Sequence, residues 1–353
     1  MSNITKIIFL ILSIFNLLNI VINSKVAPND TCRILALEGG GDKGAYQVGV
    51  INALIKNLNS TDVQWDVVSG ISAGTLNGLG MALFPKGQEK EASDLLNEVW
   101  LGFTGKQDIL SQKIPIPIIG PILGPVLGVF YGESLYNSNP LRKLLEKILK
   151  GKKIQRSYNI GATSIRTGEY LRLTDLTTKN IVEAALASSA VPGIFPPVHY
   201  GNDTFVDGGV SYFFDLTGAI QICKDKGFEN EQIVMDLILC GYATLDVLPK
   251  KITTIDILMQ TFDILMKNYK ARDLLKAITV YPGVKFRYIV GPSEPISSGV
   301  PLNFEPKDIR HSIAVGEKDG KDMIKLGEGV IFNKLMKEYK AELQEKLRFL
   351  GDF

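Results

Sequence analysis

The apolar and polar positions fall into alternating blocks of two kinds. "RILALE" (Arg33–Glu38) is a short, almost continuous apolar run, the pattern of a strand covered on both faces. It runs into "GGGDKG" and then "AYQVGVINALIKNL", where Val48, Ile51, Ile55 and Leu58 recur at helical spacing and predict a helix with one apolar face. "VQWDVVSG" repeats the scheme: a second strand, a sharp turn, and a helix through about Phe84. Two strand–turn–helix units in succession predict an α/β fold, with a mostly parallel central sheet and helices packed on it.

Farther along, "SYNIGATSI" and "GEYLRLTD" read as strands, and "NIVEAALASSAVPGIFPPV" as a helix stopped at Pro192. "YGNDTFVDGGV" reads as a hairpin, and "QIVMDLILCGY" and "KFRYIV" as core strands. "TIDILMQTFDILMKNYKARDLLKAI" is an amphipathic helix with a lysine-rich flank, and "KLMKEYKAELQEKLRFL" a terminal helix. "IPIPIIGPILGPVLGVF" (Ile114–Phe130) is apolar enough to span a membrane, but four prolines and three glycines rule out a regular helix. It reads either as a buried irregular connection or as an apolar lip that meets lipid. There is no internal repeat and no obvious linker, so one domain over residues 28–353 is the economical reading.

The first 24 residues stand apart. Lys6, the apolar stretch Ile7–Ile22 and the small residue Ser24 read as a secretory signal peptide, with an uncleaved anchor as the alternative. That expectation agrees with N-x-[ST] sequons at Asn29, Asn59 and Asn202, expected glycosylation sites in a secreted or lysosomal/vacuolar protein. Three cysteines, Cys32, Cys223 and Cys240, allow at most one internal disulfide, and spacing does not select the pair. The 353-residue chain is 45% hydrophobic with a net charge of +2, enough for a large core and without the lopsided basic surface of a nucleic-acid binder. No metal-ligand spacing occurs: there is no C-x-x-C, neither of the two histidines has a partner at i+4, and no D-x-D-x-D-G loop is present. No cofactor is expected.

Three short motifs carry candidate chemistry. Gly39-Gly40-Gly41-Asp42-Lys43-Gly44 follows a strand and opens a helix. It satisfies G-x-G-x-x-G, with Asp62 at a tolerable distance for a ribose contact, and so admits a dinucleotide site. The same backbone N–H groups at a helix N-terminus would equally receive a developing oxyanion, or form only a tight turn. Gly70-Ile71-Ser72-Ala73-Gly74 has the G-x-S-x-G spacing, in which Gly70 and Gly74 let the strand turn abruptly and expose a nucleophilic serine. Asp207-Gly208-Gly209 sets an acid at a strand end, although D-G is also a common hairpin turn.

Together these motifs resemble the patatin-like phospholipases, acyl hydrolases that use a Ser–Asp dyad. "GESLYNSNPLRKLL", "EAALASSAVPGIFPPV" and "PKDIRHSIAVGEKDG" extend the resemblance over nearly the whole mature chain. It implies a three-layer fold with helices on both sheet faces and a phospholipid or glycerolipid substrate met at a membrane surface. It further implies Ser72 as nucleophile, Asp207 as base, and N–H groups around Gly40 and Gly41 as the oxyanion hole. Glu38 stands where aspartate often precedes the glycines, and Lys43 where arginine is common. Acid–base work by a carboxylate at neutral pH requires a raised pKa, so Asp207 is expected to be partly enclosed. Two histidines, His199 and His311, offer a rival base, and Ser72…Asp207…His311 follows the α/β-hydrolase order; both are expected away from that role, on a sheet edge and a solvated helix face. A low-turnover lipid-binding protein is the alternative from another class.

Overall fold

Strand β1 (Cys32–Leu37) shows why the chain makes layers. Its side chains alternate: Leu35 and Leu37 join one hydrophobic core, while Cys32, Ile34 and Ala36 join a second on the opposite face. A strand buried on both faces must lie in the middle of a sheet, with helices above and below. The structure, a computed structural model, describes residues 26–112, 133–149, 151–241, 270–296 and 304–351, with residues 264 and 302. The expected leader, the stretch Ile114–Phe130 and the first part of the lysine-flanked helix lie outside the described residues.

The main sheet has eight strands, β10 (Lys285–Val290), β9 (Ile233–Ile238), β1, β2 (Val67–Gly70), β5 (Ser157–Ser164), β8 (Asp203–Asp207) and β7 (Val198–Tyr200), with β6 (Tyr170–Thr174) also on β5. From β10 to β5 every pairing is parallel. β6, β7 and β8 are antiparallel. A separate two-stranded ribbon joins β3 (Ser111–Gln112) to β4 (Tyr136–Asn137).

One edge of β5 is shared. Asn159 and Ile160 pair with both β2 and β6, so these strands lie on opposite sides of β5. Ala162 and Thr163 pair with both β6 and β8, which puts β8 on the β2 side. β2 therefore ends at Gly70 opposite Ile160, and β8, arriving from the other direction, ends at Asp207 opposite Ala162. Two strand ends meet head to head, two residues of β5 apart, or roughly 7 Å.

The first face is covered by α1 (Gly44–Asn57), α2 (Ala73–Ala82), α3 (Glu89–Leu101), α4 (Asn139–Leu149), α5 (Ile181–Ser188) and α8 (Pro306–Leu326). The second carries α6 (Leu216–Asp225), α7 (residues 270–280) and the start of α9 (Val330–Gly351), where Phe332 stacks on Phe286 at 5.0 Å. The expected one-faced α1 is instead buried almost all round, from Gly44 through Ile51. The reason is α8, which crosses it at glycines: a Cβ on Gly49 would lie 2.1 Å from the Ile313 carbonyl oxygen, and one on Gly316 2.2 Å from that of Tyr46. Cys32 and Cys223 form a disulfide between β1 and α6, and Cys240 is a buried free thiol. No helix among the described residues is long and apolar enough to cross a membrane.

Candidate active site

Ser72 stands where β2 turns into α2, with φ 55° and ψ −123°, a conformation L-residues rarely hold. The flanking glycines permit it. A Cβ on Gly70 would sit 2.1 Å from the Gly74 carbonyl oxygen, and one on Gly74 2.3 Å from that of Leu37. Both contacts are backbone, which side-chain movement cannot relieve. The C-terminal end of α5 and the residue after it hold the turn from the other side. The Ser72 N–H donates to the Ser188 carbonyl at 3.1 Å, Ser189 Oγ donates to the Ser72 carbonyl at 3.4 Å, and Ser188 Oγ lies 2.7 Å from Thr75 Oγ1.

Asp207 arrives on β8, and its N–H donates to the Ala190 carbonyl at 2.9 Å. The segment Ser188–Ala190 thus fastens both ends of the head-to-head junction. The local sequence signal for the two serines is a polar pair closing a mostly apolar helix, three residues before Pro192. Gly208 closes the junction, since a Cβ there would meet the Gly161 carbonyl oxygen at 2.4 Å.

The Asp207 side chain is 5% exposed. Oδ1 accepts the Gly209 N–H at 2.7 Å. Oδ2 has no partner at hydrogen-bond geometry among the described residues. The Ser72 hydroxyl lies beside the carboxyl closely enough to lower its pKa, so the pair sits just outside that geometry. Burial outweighs both donors and pushes the carboxyl from 3.8 up to about 7.

The glycine loop crosses next to this pair. A Cβ on Gly39 would lie 3.3 Å from Ser72 Cβ, and Gly41, at φ +59°, lines the same cavity as Ser72. Among the described residues the Gly39, Gly40 and Gly41 N–H groups donate to no backbone or side-chain acceptor. Asp42 is buried, and Gly44 packs its Cα against Trp100 and Ala73, where a Cβ would come within 2.6 Å of the indole ring. A polar chain fixes the loop from beneath. Trp100 Nε1 donates to Asn77 Oδ1 at 2.7 Å, Asn77 Nδ2 to Gln47 Oε1 and the Gly44 carbonyl at 2.9 Å, and Gln47 Nε2 to the Glu38 carbonyl at 2.7 Å. The Lys43 carbonyl accepts from the Cys240 thiol at 3.7 Å.

An apolar cavity of about 840 Å³, its open mouth included, starts at Ser72 and runs between α2, α3 and α4. Leu76, Leu95, Val99, Phe103, Leu145 and Ile148 are among its walls.

The other candidate residues lie away from this junction. Asp62 pairs with Arg33 at 2.8 Å, at the start of β1 and so at the opposite end of the sheet from the glycine loop; it is not placed for a ribose. His199 bonds Thr204 Oγ1 at 2.9 Å on the edge strand β7, and His311, on the exposed side of α8, contacts the Pro295 carbonyl at 2.9 Å. Neither is among the groups that bond or shift Asp207. Asn29, Asn59 and Asn202 are all exposed. Among the described residues no cluster of His, Cys, Asp and Glu is placed to hold a metal ion.

Residues 35–220, just over half the chain, match the Patatin family, described as patatin-like phospholipase. The chain belongs to the patatin-like phospholipase family, and that membership supports lipid acyl hydrolase chemistry on lipid substrates. Among solved structures it is similar to VipD from Legionella pneumophila, at 16% identity and a TM-score of 0.40, over 86% of this chain and 70% of that one. It is also similar to the type III effector protein ExoU, at 14% identity and a TM-score of 0.34, over 85% of this chain and 53% of that one. No curated protein matches the chain significantly.

Proposed function

We propose that the chain is a phospholipase A-type lipid acyl hydrolase working through an acyl-serine intermediate, with Ser72 as nucleophile and Asp207 as its base. The observation that carries this reading is the junction on β5, which sets a strained serine beside a buried carboxyl of pKa about 7 at the end of an apolar cavity. A base poised near neutrality can take a proton from the Ser72 hydroxyl and return it, which an ordinary carboxylate does poorly.

In this mechanism the fatty-acyl chain lies in the cavity and the ester carbonyl rests between Ser72 Oγ and the glycine loop. Oγ bonds to the carbonyl carbon while its proton passes to Asp207. The carbonyl π electrons move onto oxygen, which the N–H groups around Gly40 and Gly41 receive; one such donor is typically worth about 3–4 kcal/mol in the transition state. Collapse breaks the bond to the lipid alkoxide, which leaves with the proton from Asp207. Water repeats the sequence on the acyl-serine, with Asp207 as base again, and releases the fatty acid.

The test is hydrolysis of a defined lipid mixture. Ser72→Ala and Asp207→Asn are expected to lose at least ~10³-fold in kcat, and His199→Ala and His311→Ala to keep it within about twofold. Activity surviving in Asp207→Asn but lost in a histidine variant would overturn the dyad. A lipid-binding protein of this fold would need the cavity but not the strained serine, and would leave the mixture uncleaved.

We also infer that the protein travels the secretory route with residues 1–24 as its leader. The Cys32–Cys223 disulfide and the exposure of all three sequon asparagines support this. Secretion from a eukaryotic host with a mass decrease on N-glycosidase treatment is the expected result; an unglycosylated, cell-retained product would contradict it.

A further inference from the structure

Helix α7 touches both loops of the site within a single turn. From Lys270, Nζ lies 2.7 Å from Glu38 Oε1, an ion pair whose angle falls outside that of a hydrogen bond. Gly241 lets the ammonium through, since a Cβ there would sit 2.5 Å from Nζ. Glu38 is fully buried and immediately precedes the glycine loop. Its other oxygen accepts the N–H groups of Cys240 at 2.5 Å and Gly241 at 3.3 Å, and Gly40 packs on the Cys240 side chain.

Three residues on, Asp273, 2% exposed, accepts the N–H groups of Phe213 at 2.9 Å and Phe214 at 3.4 Å. Arg272 Nη2 donates to the Ser211 carbonyl at 2.5 Å, and Arg272 and Lys276 lie over the Tyr212 ring at 5.2 and 4.9 Å. Residues 211–214 follow Asp207-Gly208-Gly209 after only Val210.

A buried ion pair is weak as a stabiliser, because desolvation offsets most of its attraction. Fixing geometry is what such a pair does well. The distance between oxyanion donors and base sets the reaction rate, and a misplacement of about 1 Å can cost on the order of 10²-fold. We propose that α7 is a clamp in which Lys270 and Asp273 are positioning residues, holding the glycine loop and the acid loop at a fixed separation across Ser72. The proposal rests on the Ser72–Asp207 reading above.

The test is steady-state turnover of a soluble ester, p-nitrophenyl butyrate, by the full chain, so that lipid binding does not enter. Lys270→Met and Asp273→Asn are each expected to lower kcat about tenfold or more with KM within about twofold, and Lys270→Arg to recover most of the loss. Cutting either end frees the loops, so the double variant should lose far less than the product of the single losses. Glu38→Gln with Lys270→Met leaves no uncompensated charge and keeps an acceptor for the Cys240 N–H, while severing the link to α7. That neutral pair should fold and show the same fall in kcat. Single variants within twofold of wild type, a change in KM alone, a multiplicative double variant, or full turnover in the neutral pair would each overturn the clamp. Turnover persisting in Ser72→Ala would instead remove the reading of the site, and is thereby distinguished.

Discussion

Asp207 meets two opposed demands. As the base of the proposed mechanism it must be ionised, yet the burial that brings its pKa to about 7 disfavours the ionised form. Two pH effects of opposite sign follow. Turnover should rise as pH passes through about 7, because only the deprotonated carboxyl can accept the Ser72 proton. Stability should do the reverse. The folded pKa lies above the unfolded value of 3.8, so the folded state binds more protons between these limits, and its stability falls as pH rises from about 4 to about 7. Asp207→Asn lacks this penalty. At pH 8 it should be the more stable protein, by no more than about 4 kcal/mol, while inactive; thermal unfolding at pH 5 and pH 8 reads the difference. A wild type at least as stable as Asp207→Asn at pH 8 would contradict the assignment. At this scale the sequence was informative about glycines and reticent about everything that holds them. Gly70 and Gly74 are spaced by steric necessity, which any chain must write down. Ser188, Ser189, Glu38 and Lys270 act through contacts 100 or more residues away, so their local sequence does not state what they hold.

At the scale of elements, two strand ends and one helix crossing carry the argument. Ser72 and Asp207 meet because β2 and β8 divide one edge of β5 between them. Apolar periodicity located both strands but not this division, since a strand's sequence states its faces and not which neighbour occupies each edge. The same limit explains α1. Its periodicity predicts one buried face, and the second face is buried only because α8, more than 260 residues later in the chain, supplies Gly316 and Gly320 where the helices cross. Gly316→Ala tests that crossing. The added methyl would meet backbone at 2.2 Å and force the helices apart, with an expected cost of about 1–3 kcal/mol in urea unfolding. Gly78→Ala, whose Cβ would have its nearest neighbours at an ordinary 3.9 Å, should be neutral or slightly stabilising. Equal effects at both positions would mean that the crossing is not tight.

For the whole molecule, the single disulfide spans 191 residues and ties the first strand to a helix on the second face. A cross-link over so long a loop removes much unfolded-state entropy, and its loss typically costs about 2–5 kcal/mol. Cys32→Ser with Cys223→Ser should therefore lower Tm by several degrees or more. Turnover at 25 °C should be retained, because neither cysteine approaches the glycine loop, Ser72 or Asp207. An unchanged Tm would show that the bridge adds nothing. The wide sequence separation of the parts also bears on synthesis. Ser72 and its glycines leave the ribosome long before Asp207, and the partner edge of β5 is complete only once β8 has inserted. On the Ser72–Asp207 reading, a nascent chain carries a nucleophile with no base, and its chemistry is withheld until β8 is in place and folding is nearly finished.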